Sequence, residues 1–158
     1  MTTQPPPVSA AGTRFVCGLI GSGIGESLTP AMHEAEADRR GMPYVYRRTD
    51  LTALGLSPEE GVALIRPAGL LGFSGLNITH PCKRLAVAHV DDLSPEAATI
   101  GAINTVVFTG GRVVGHNTDV TGFAHGFTRD MPEAPLGHVV QVGAGGAGAA
   151  VAHALVTL

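Results

Sequence analysis

The chain has 158 residues, of which 44% are hydrophobic and 15% charged, and a formal net charge of −3. That length and balance describe a core-forming chain about one domain in size and argue against a chain disordered throughout or a basic nucleic-acid binder. Aromatic residues make up 4% and Trp is absent, so neither base-stacking platforms nor an interfacial aromatic belt is expected.

Residues 1–13, "MTTQPPPVSAAGT", lack the basic start and apolar run of a signal peptide. Three consecutive prolines also oppose a transit helix, so the stretch reads as a disordered tail. From Arg14 onward, apolar strand-like runs alternate with helical patterns, which predicts an α/β fold with a mainly parallel open sheet and helices on both faces. "RFVCGLI" is a first strand running into the glycine-rich turn "GSGIG". "TPAMHEAEADRRG" is a helix with Thr29 as N-cap, Pro30 at its first position and Gly41 as its stop. "YVYRRTD" is a second strand, and a second helix follows Ser57 to about Leu71.

"GFSGLNIT" is a third strand, stopped by "HP", and "CKRLAVAHV" is a short helix. "AINTVVF" and "RVVGH" flank "TGG" as a hairpin. In "TDVTGFAHGFTRDM", Val120, Phe123, Ala124 and Phe127 form one apolar helical stripe. "MPEAPLG" is a linker, and "HVVQV" opens a new strand. The division expected is a tail over 1–13, a first domain over 14–131 and the beginning of a second over 137–158. No uninterrupted apolar run reaches the roughly 18 residues of a membrane-spanning helix. Cys17 and Cys82 have no CxxC spacing, which fits a reducing, cytoplasmic setting. The seven histidines show no HExxH-like spacing, so no metal site is expected.

Near the end, Gly143, Gly145 and Gly148 spell GxGxxG within "GAGGAG", which also contains Ala144, Gly146 and Ala147. With an apolar strand before it and an apolar helix after it, the loop has the setting of a dinucleotide fingerprint, whose glycines let backbone and helix N-terminus approach a pyrophosphate. The acidic or basic residue that meets the adenosine ribose is expected about 20 residues further on, past Leu158. The 158 residues are accordingly expected to be the leading part of a longer polypeptide.

Strand alternation in "GLNITHPCK" puts Asn77 and Thr79 on one face, where they either meet a ligand at the carboxyl end of a strand or satisfy turn backbone. If Pro81 begins a helix, Lys83 lies in its first turn. There the helix dipole and Arg84 would both push the amine toward losing its proton; the alternative is a solvated surface pair. Asp119 opens the stripe helix as a functional carboxylate or as a routine cap. Asn104 aligns with Ala102, Val106 and Phe108 as a polar group on an apolar face, and so demands a partner. Ser27 and Thr29 precede a helix N-terminus that could hold a carboxylate, or Thr29 is only its cap.

Together, "SLTPAMH", "GLNITHPCK", "GAINTV", "GHNTDVTGF" and "QVGAGGAG" resemble the shikimate dehydrogenases in order and spacing from about Arg14 to Leu158. The resemblance implies a substrate-binding catalytic domain followed by the entrance to an NAD(P)-binding Rossmann domain. It implies NAD(P)-dependent interconversion of shikimate or quinate with the 3-dehydro ketone. Lys83 and Asp119 match the catalytic pair. Ser27 and Thr29 match the grip on the substrate carboxylate, and Asn77, Thr79 and Asn104 match polar contacts to ring hydroxyls or carboxylate. Residues 143–148 match the pyrophosphate loop. Ser27-Leu28-Thr29 departs from the usual Ser-x-Ser toward the quinate/shikimate branch, which favours NAD. The alternatives are a strict NADP shikimate dehydrogenase, an aminoshikimate enzyme, or a fragment that binds a cyclitol carboxylate without redox chemistry. The 158-residue piece alone is expected to be inactive.

Overall fold

In the computed structural model, which describes residues 14–158, the first strand β1 (Phe15–Gly21) lies parallel to β2 (Tyr44–Asp50) on one side and to β3 (Gly75–Ile78) on the other. The tail expected over residues 1–13 lies outside the described residues. β5 (Thr105–Thr109) runs antiparallel to β3, and β6 (Arg112–His116) antiparallel to β5. A two-residue strand, β4 (Asp92–Leu93), pairs parallel to β6 and completes a six-stranded sheet of order β2-β1-β3-β5-β6-β4. The sheet is therefore mixed, because the "TGG" hairpin expected from sequence inserts β5 against the common direction.

Alternation along β1 divides the core. Ile20 joins Leu76, Ile78, Val106 and Ile103 on one face, covered by helix α3 (Pro58–Ala63) with Val62 and α4 (Ile65–Leu70) with Ile65. Leu19 joins Tyr46 and Ile24 on the other, beneath α1 (Thr29–Arg39), whose His33 stacks on Tyr46 at 5.0 Å between ring centres. Helices on both faces of the sheet are as expected.

Thr29 is the first residue of α1 rather than its N-cap. Leu28 occupies the cap in a helical conformation without a side-chain bond, and the Thr29 N–H is met by Ser27 Oγ at 3.3 Å. At the other end Gly41, at φ 63°, donates to Asp38 O at 3.0 Å while Met42 N–H reaches Ala37 O at 2.9 Å, a Schellman closure that needs the left-handed residue.

The single helix expected after Ser57 is two helices that meet at Leu64. Pro67 lacks the N–H that would bond back to Ala63, and it sits in the first turn of α4, where a free N–H would have had no helical partner anyway. Two short helices went unpredicted: α2 (Leu51–Leu54), capped by Asp50 and closed by Gly55, and α5 (Pro95–Ile100), capped by Ser94 and closed by Gly101. The helix expected from Pro81 is instead a turn that leads into a five-residue 3-10 segment, Leu85–His89.

The stripe helix is α6 (Asp119–Asp130), and the last helix is α7 (Gly146–Thr157). Val120 of α6 packs with Ala150 and Ala154 of α7, joined by Ile100 and Phe123, so small residues let α7 lie close against α5 and α6. "HVVQV" at 138–142 is not a strand: no described strand pairs with it, and Val140 and Val142 stay exposed. A strand is defined by its ladder, and apolar composition without a neighbour does not make one. Among the described residues no helix is long and apolar enough to cross a membrane.

Candidate active site

Topology gathers the polar candidates at one edge of the sheet. Asn77 near the carboxyl end of β3 is in register with Thr105 at the start of β5, and Thr105 is in register with His116 at the end of β6. Because β5 runs opposite to its neighbours, its beginning lies beside their ends. Asn104, Thr105 and the segment from His116 to Asp119 thus arrive next to the strand that carries Asn77, in the crevice where open α/β sheets take ligands.

At the centre, Lys83 Nζ donates to Asp119 Oδ2 at 2.6 Å, an ion pair with both side chains partly buried. Asp119 Oδ1 accepts from Asn104 Nδ2 at 2.9 Å, so both carboxylate oxygens are engaged. Asn104, expected to need a partner, has several: its Nδ2 also donates to Thr118 Oγ1 at 2.9 Å, and its Oδ1 accepts from the Thr118 N–H at 3.0 Å.

The sequence rationale for Lys83 does not survive. No regular helix begins at Pro81, so the dipole expected from the residue's own helix is absent, and the amine pairs with the carboxylate of Asp119. What marks the residue is its place: the turn after Thr79 carries it across to the first residue of α6. Thr79 is fixed there by its N–H to Ile20 O at 2.9 Å and its carbonyl to Cys82 N at 2.8 Å.

Asn77 belongs to the same network at one remove. Its Oδ1 accepts from Tyr46 Oη at 2.6 Å, and its Nδ2 makes a long 3.4 Å contact to Thr105 Oγ1. Burial, reinforced by the nearby Cys17 thiol, pushes the Tyr46 phenol above its ordinary value, which keeps it a proton donor. Ser27 and Thr29 form a separate pair, with Ser27 Oγ donating to Thr29 Oγ1 at 3.0 Å at the start of α1. No described hydrogen bond ties them to Lys83 or Asp119.

Sequence reasoning missed Asn117, Thr105 and Tyr46. Asn117 is 3% exposed; its Nδ2 donates to Ala102 O at 3.0 Å and its Oδ1 accepts the Asp119 N–H at 3.1 Å, which anchors the helix start that presents Asp119. The Asn-Thr-Asp spacing is an Asx-turn signature and offered a signal. Tyr46 and Asn77 lie 31 positions apart, and only the strand order brings them together.

A groove of about 530 Å³ lies between Thr79, Lys83 and Arg84 on one wall and the glycine loop on the other. A Cβ built on Gly146 would stand 3.4 Å from Lys83 Cδ, so loop and lysine stem are neighbours. Gly143 has φ 105°, and a Cβ on Gly148 would lie 2.4 Å from the Gly143 carbonyl oxygen. The loop therefore needs glycine at both positions, and its backbone leads into the first turn of α7, a cradle that fits a dinucleotide pyrophosphate. Another hollow, of about 450 Å³ between α4 and the β5–β6 hairpin, contains none of these residues.

A family model described as the shikimate dehydrogenase substrate binding domain matches residues 19–106. A shikimate dehydrogenase (NADP(+)) of Streptomyces avermitilis is 62% identical over 144 residues, covering 91% of this chain and 50% of the relative. A quinate/shikimate dehydrogenase (NAD(+)) of Corynebacterium glutamicum is 51% identical over 144 residues, covering 90% and 51%. The solved structure of a quinate dehydrogenase from Corynebacterium glutamicum in complex with NAD aligns with a TM-score of 0.83 at 49% identity, covering 91% of this chain and 51% of that one. The chain thus spans about half the length of the relatives it matches.

Proposed function

We infer that this chain, which belongs to the shikimate dehydrogenase substrate-binding domain family, supplies the substrate site of an NAD(P)-dependent dehydrogenase that interconverts shikimate or quinate with the 3-dehydro ketone. Residues 14–131 form the substrate domain, and residues 137–158 begin the cofactor domain. The observation that carries this reading is the Lys83–Asp119 contact at 2.6 Å, with Lys83 and the glycine loop lining one groove.

During oxidation the neutral amine form of Lys83 takes the proton of the reacting ring hydroxyl as the C–O bond becomes a carbonyl, and the ammonium so formed pairs with Asp119. Asp119 holds Nζ in place through Oδ2 and, through Asn104, is itself held. In reduction the Lys83 ammonium returns the proton to the forming alkoxide. Residues 143–148 would hold the pyrophosphate of a nicotinamide dinucleotide, which would supply acceptance or donation of the hydride at the ring carbon. Ser27 and Thr29, hydroxyl to hydroxyl at the start of α1, hold the substrate carboxylate, and Asn77, Thr79 and Asn104 make polar contacts to ring hydroxyls or the carboxylate. The added methyl of Thr29 fixes its χ1 rotamer beside that carboxylate, where quinate carries an extra hydroxyl.

The test is the initial rate of the gene product that carries this chain, with shikimate and quinate and with NAD and NADP. Turnover of at least one combination is expected, and Lys83→Met should lower kcat by about 10² to 10⁴ while the fold persists. No turnover with any combination, or unchanged kcat in the variant, overturns the reading.

A further inference from the structure

Some groups around the cleft have no freedom in their hydrogen-bonding role. The Thr118 N–H can only donate and the Asp119 carboxylate can only accept, and Asn104 lies between them. Its Oδ1 is 3.0 Å from Thr118 N and its Nδ2 is 2.9 Å from Asp119 Oδ1, so the Asn104 amide has one orientation. Thr105 Oγ1 lies 2.9 Å from that same Oδ1, which carries no hydrogen. The Thr105 hydroxyl hydrogen must therefore point at Asn104.

Toward Asn77, Thr105 then presents lone pairs alone. Asn77 faces it with Nδ2, at 3.4 Å, and turns Oδ1 to the Tyr46 hydroxyl, which donates at 2.6 Å. The opposite flip would set the Asn77 oxygen against the Thr105 lone pairs. Bond polarity thus runs outward from Asp119 through Asn104 and Thr105 to Asn77 and Tyr46, with every step forced by the one before it.

We propose that Thr105 is a positioning residue: its hydroxyl passes the polarity set at Asp119 and Asn104 to the Asn77 amide, so that Asn77 meets the ligand as a donor. The ligand group opposite the remaining Nδ2 hydrogen of Asn77 is then an acceptor, a ring hydroxyl oxygen or a carboxylate oxygen. This deepens the functional reading above and rests on its placement of Asn77 in the substrate site.

Thr105→Val removes the hydroxyl and keeps the branched shape, whereas Thr105→Ser keeps the hydroxyl. In the gene product, Thr105→Val should raise KM for the cyclitol carboxylate on the order of tenfold, the loss of about one hydrogen bond, while kcat falls less than threefold. Thr105→Ser should restore KM, and Thr105→Val combined with Asn77→Ala should be no worse than Asn77→Ala alone. Unchanged KM in Thr105→Val, or equal loss in the Ser variant, overturns the proposal.

An independent readout comes from the side-chain amide NMR signals, assigned by their loss in Asn77→Ala and Asn104→Ala. Thr105→Val should move the Asn77 pair and, through the bond lost at Oδ1, the Asn104 pair as well, whereas Thr105→Ser should leave both near their parent positions. An unmoved Asn77 signal also overturns the proposal. Because this readout needs no turnover, a protein that oxidises neither substrate but shows the expected shift refutes the functional reading and leaves the role of Thr105 standing.

Discussion

Gly148→Ala tests the glycine loop in a way that separates structure from ligand binding. The new Cβ would stand 2.4 Å from the Gly143 oxygen and 2.9 Å from Gln141 Nε2. Carbon–oxygen contacts settle no closer than about 3.3 Å, so loop and helix must part by roughly 1 Å. That displacement disturbs the clasp in which Gln141 Nε2 donates to Gly143 O at 2.6 Å and to Gly148 O at 2.9 Å. Overpacking of this kind costs about 1 to 3 kcal/mol. Gly145→Ala differs: nothing lies within 4 Å of its Cβ and its φ of −71° suits any residue. In ligand-free thermal unfolding of the gene product, Gly148→Ala should lower the midpoint, by about 2 to 4 °C for each kcal/mol lost, and Gly145→Ala should not. In calorimetric titration with NAD and NADP, both variants should weaken binding, Gly148→Ala through a displaced cradle and Gly145→Ala through a methyl in the path of the pyrophosphate. Gly148→Ala with unchanged midpoint and affinity would refute the reasoning, as would Gly145→Ala with full affinity.

Ile103→Ala empties a fully buried site beside the start of β5, and denaturant unfolding should report a loss of about 2 to 5 kcal/mol. Asn117→Ala leaves the Ala102 carbonyl and the Asp119 N–H without their partner, and should cost about 1 to 3 kcal/mol as well as turnover. Asp91 bonds Arg66 at 2.6 Å and the Val113 N–H at 2.8 Å; the Arg66 bond chiefly holds its carboxyl below the ordinary value, with the Val113 bond adding to it. Its ionised form therefore stabilises the fold above the unfolded-state carboxylate value, and that contribution is lost as pH falls through the lowered native one. Across that acidic window, the melting temperature of Asp91→Asn should fall less steeply than that of the parent; parallel curves would contradict the assignment.

Much of this was legible in the chain because local and global signals agree. Apolar runs with turns at their ends set β1, β2 and the β5–β6 hairpin, and the stripe of Val120, Phe123, Ala124 and Phe127 set α6. Local rules failed where tertiary context decides. Pro67 splits an apolar helical run at Leu64, and "HVVQV" has strand composition but no partner strand. Short α5 had its Ser-Pro start and Gly101 stop in plain view, but six residues give too little periodicity to register. In the site, motif resemblance brought forward Lys83, Asp119 and Asn104, which do meet. The helix-start rationale for Lys83 failed because the turn after Pro81 never becomes a regular helix. Tyr46 and Thr105 enter through strand register, which no local window contains.

A double-mutant cycle on kcat, with Lys83→Met and Asp119→Asn alone and together in the gene product, addresses the joint action of this pair most directly. If the amine and carboxylate at 2.6 Å act as one unit, the double variant should be about as slow as the slower single variant. Losses that multiply would mean the two side chains work separately.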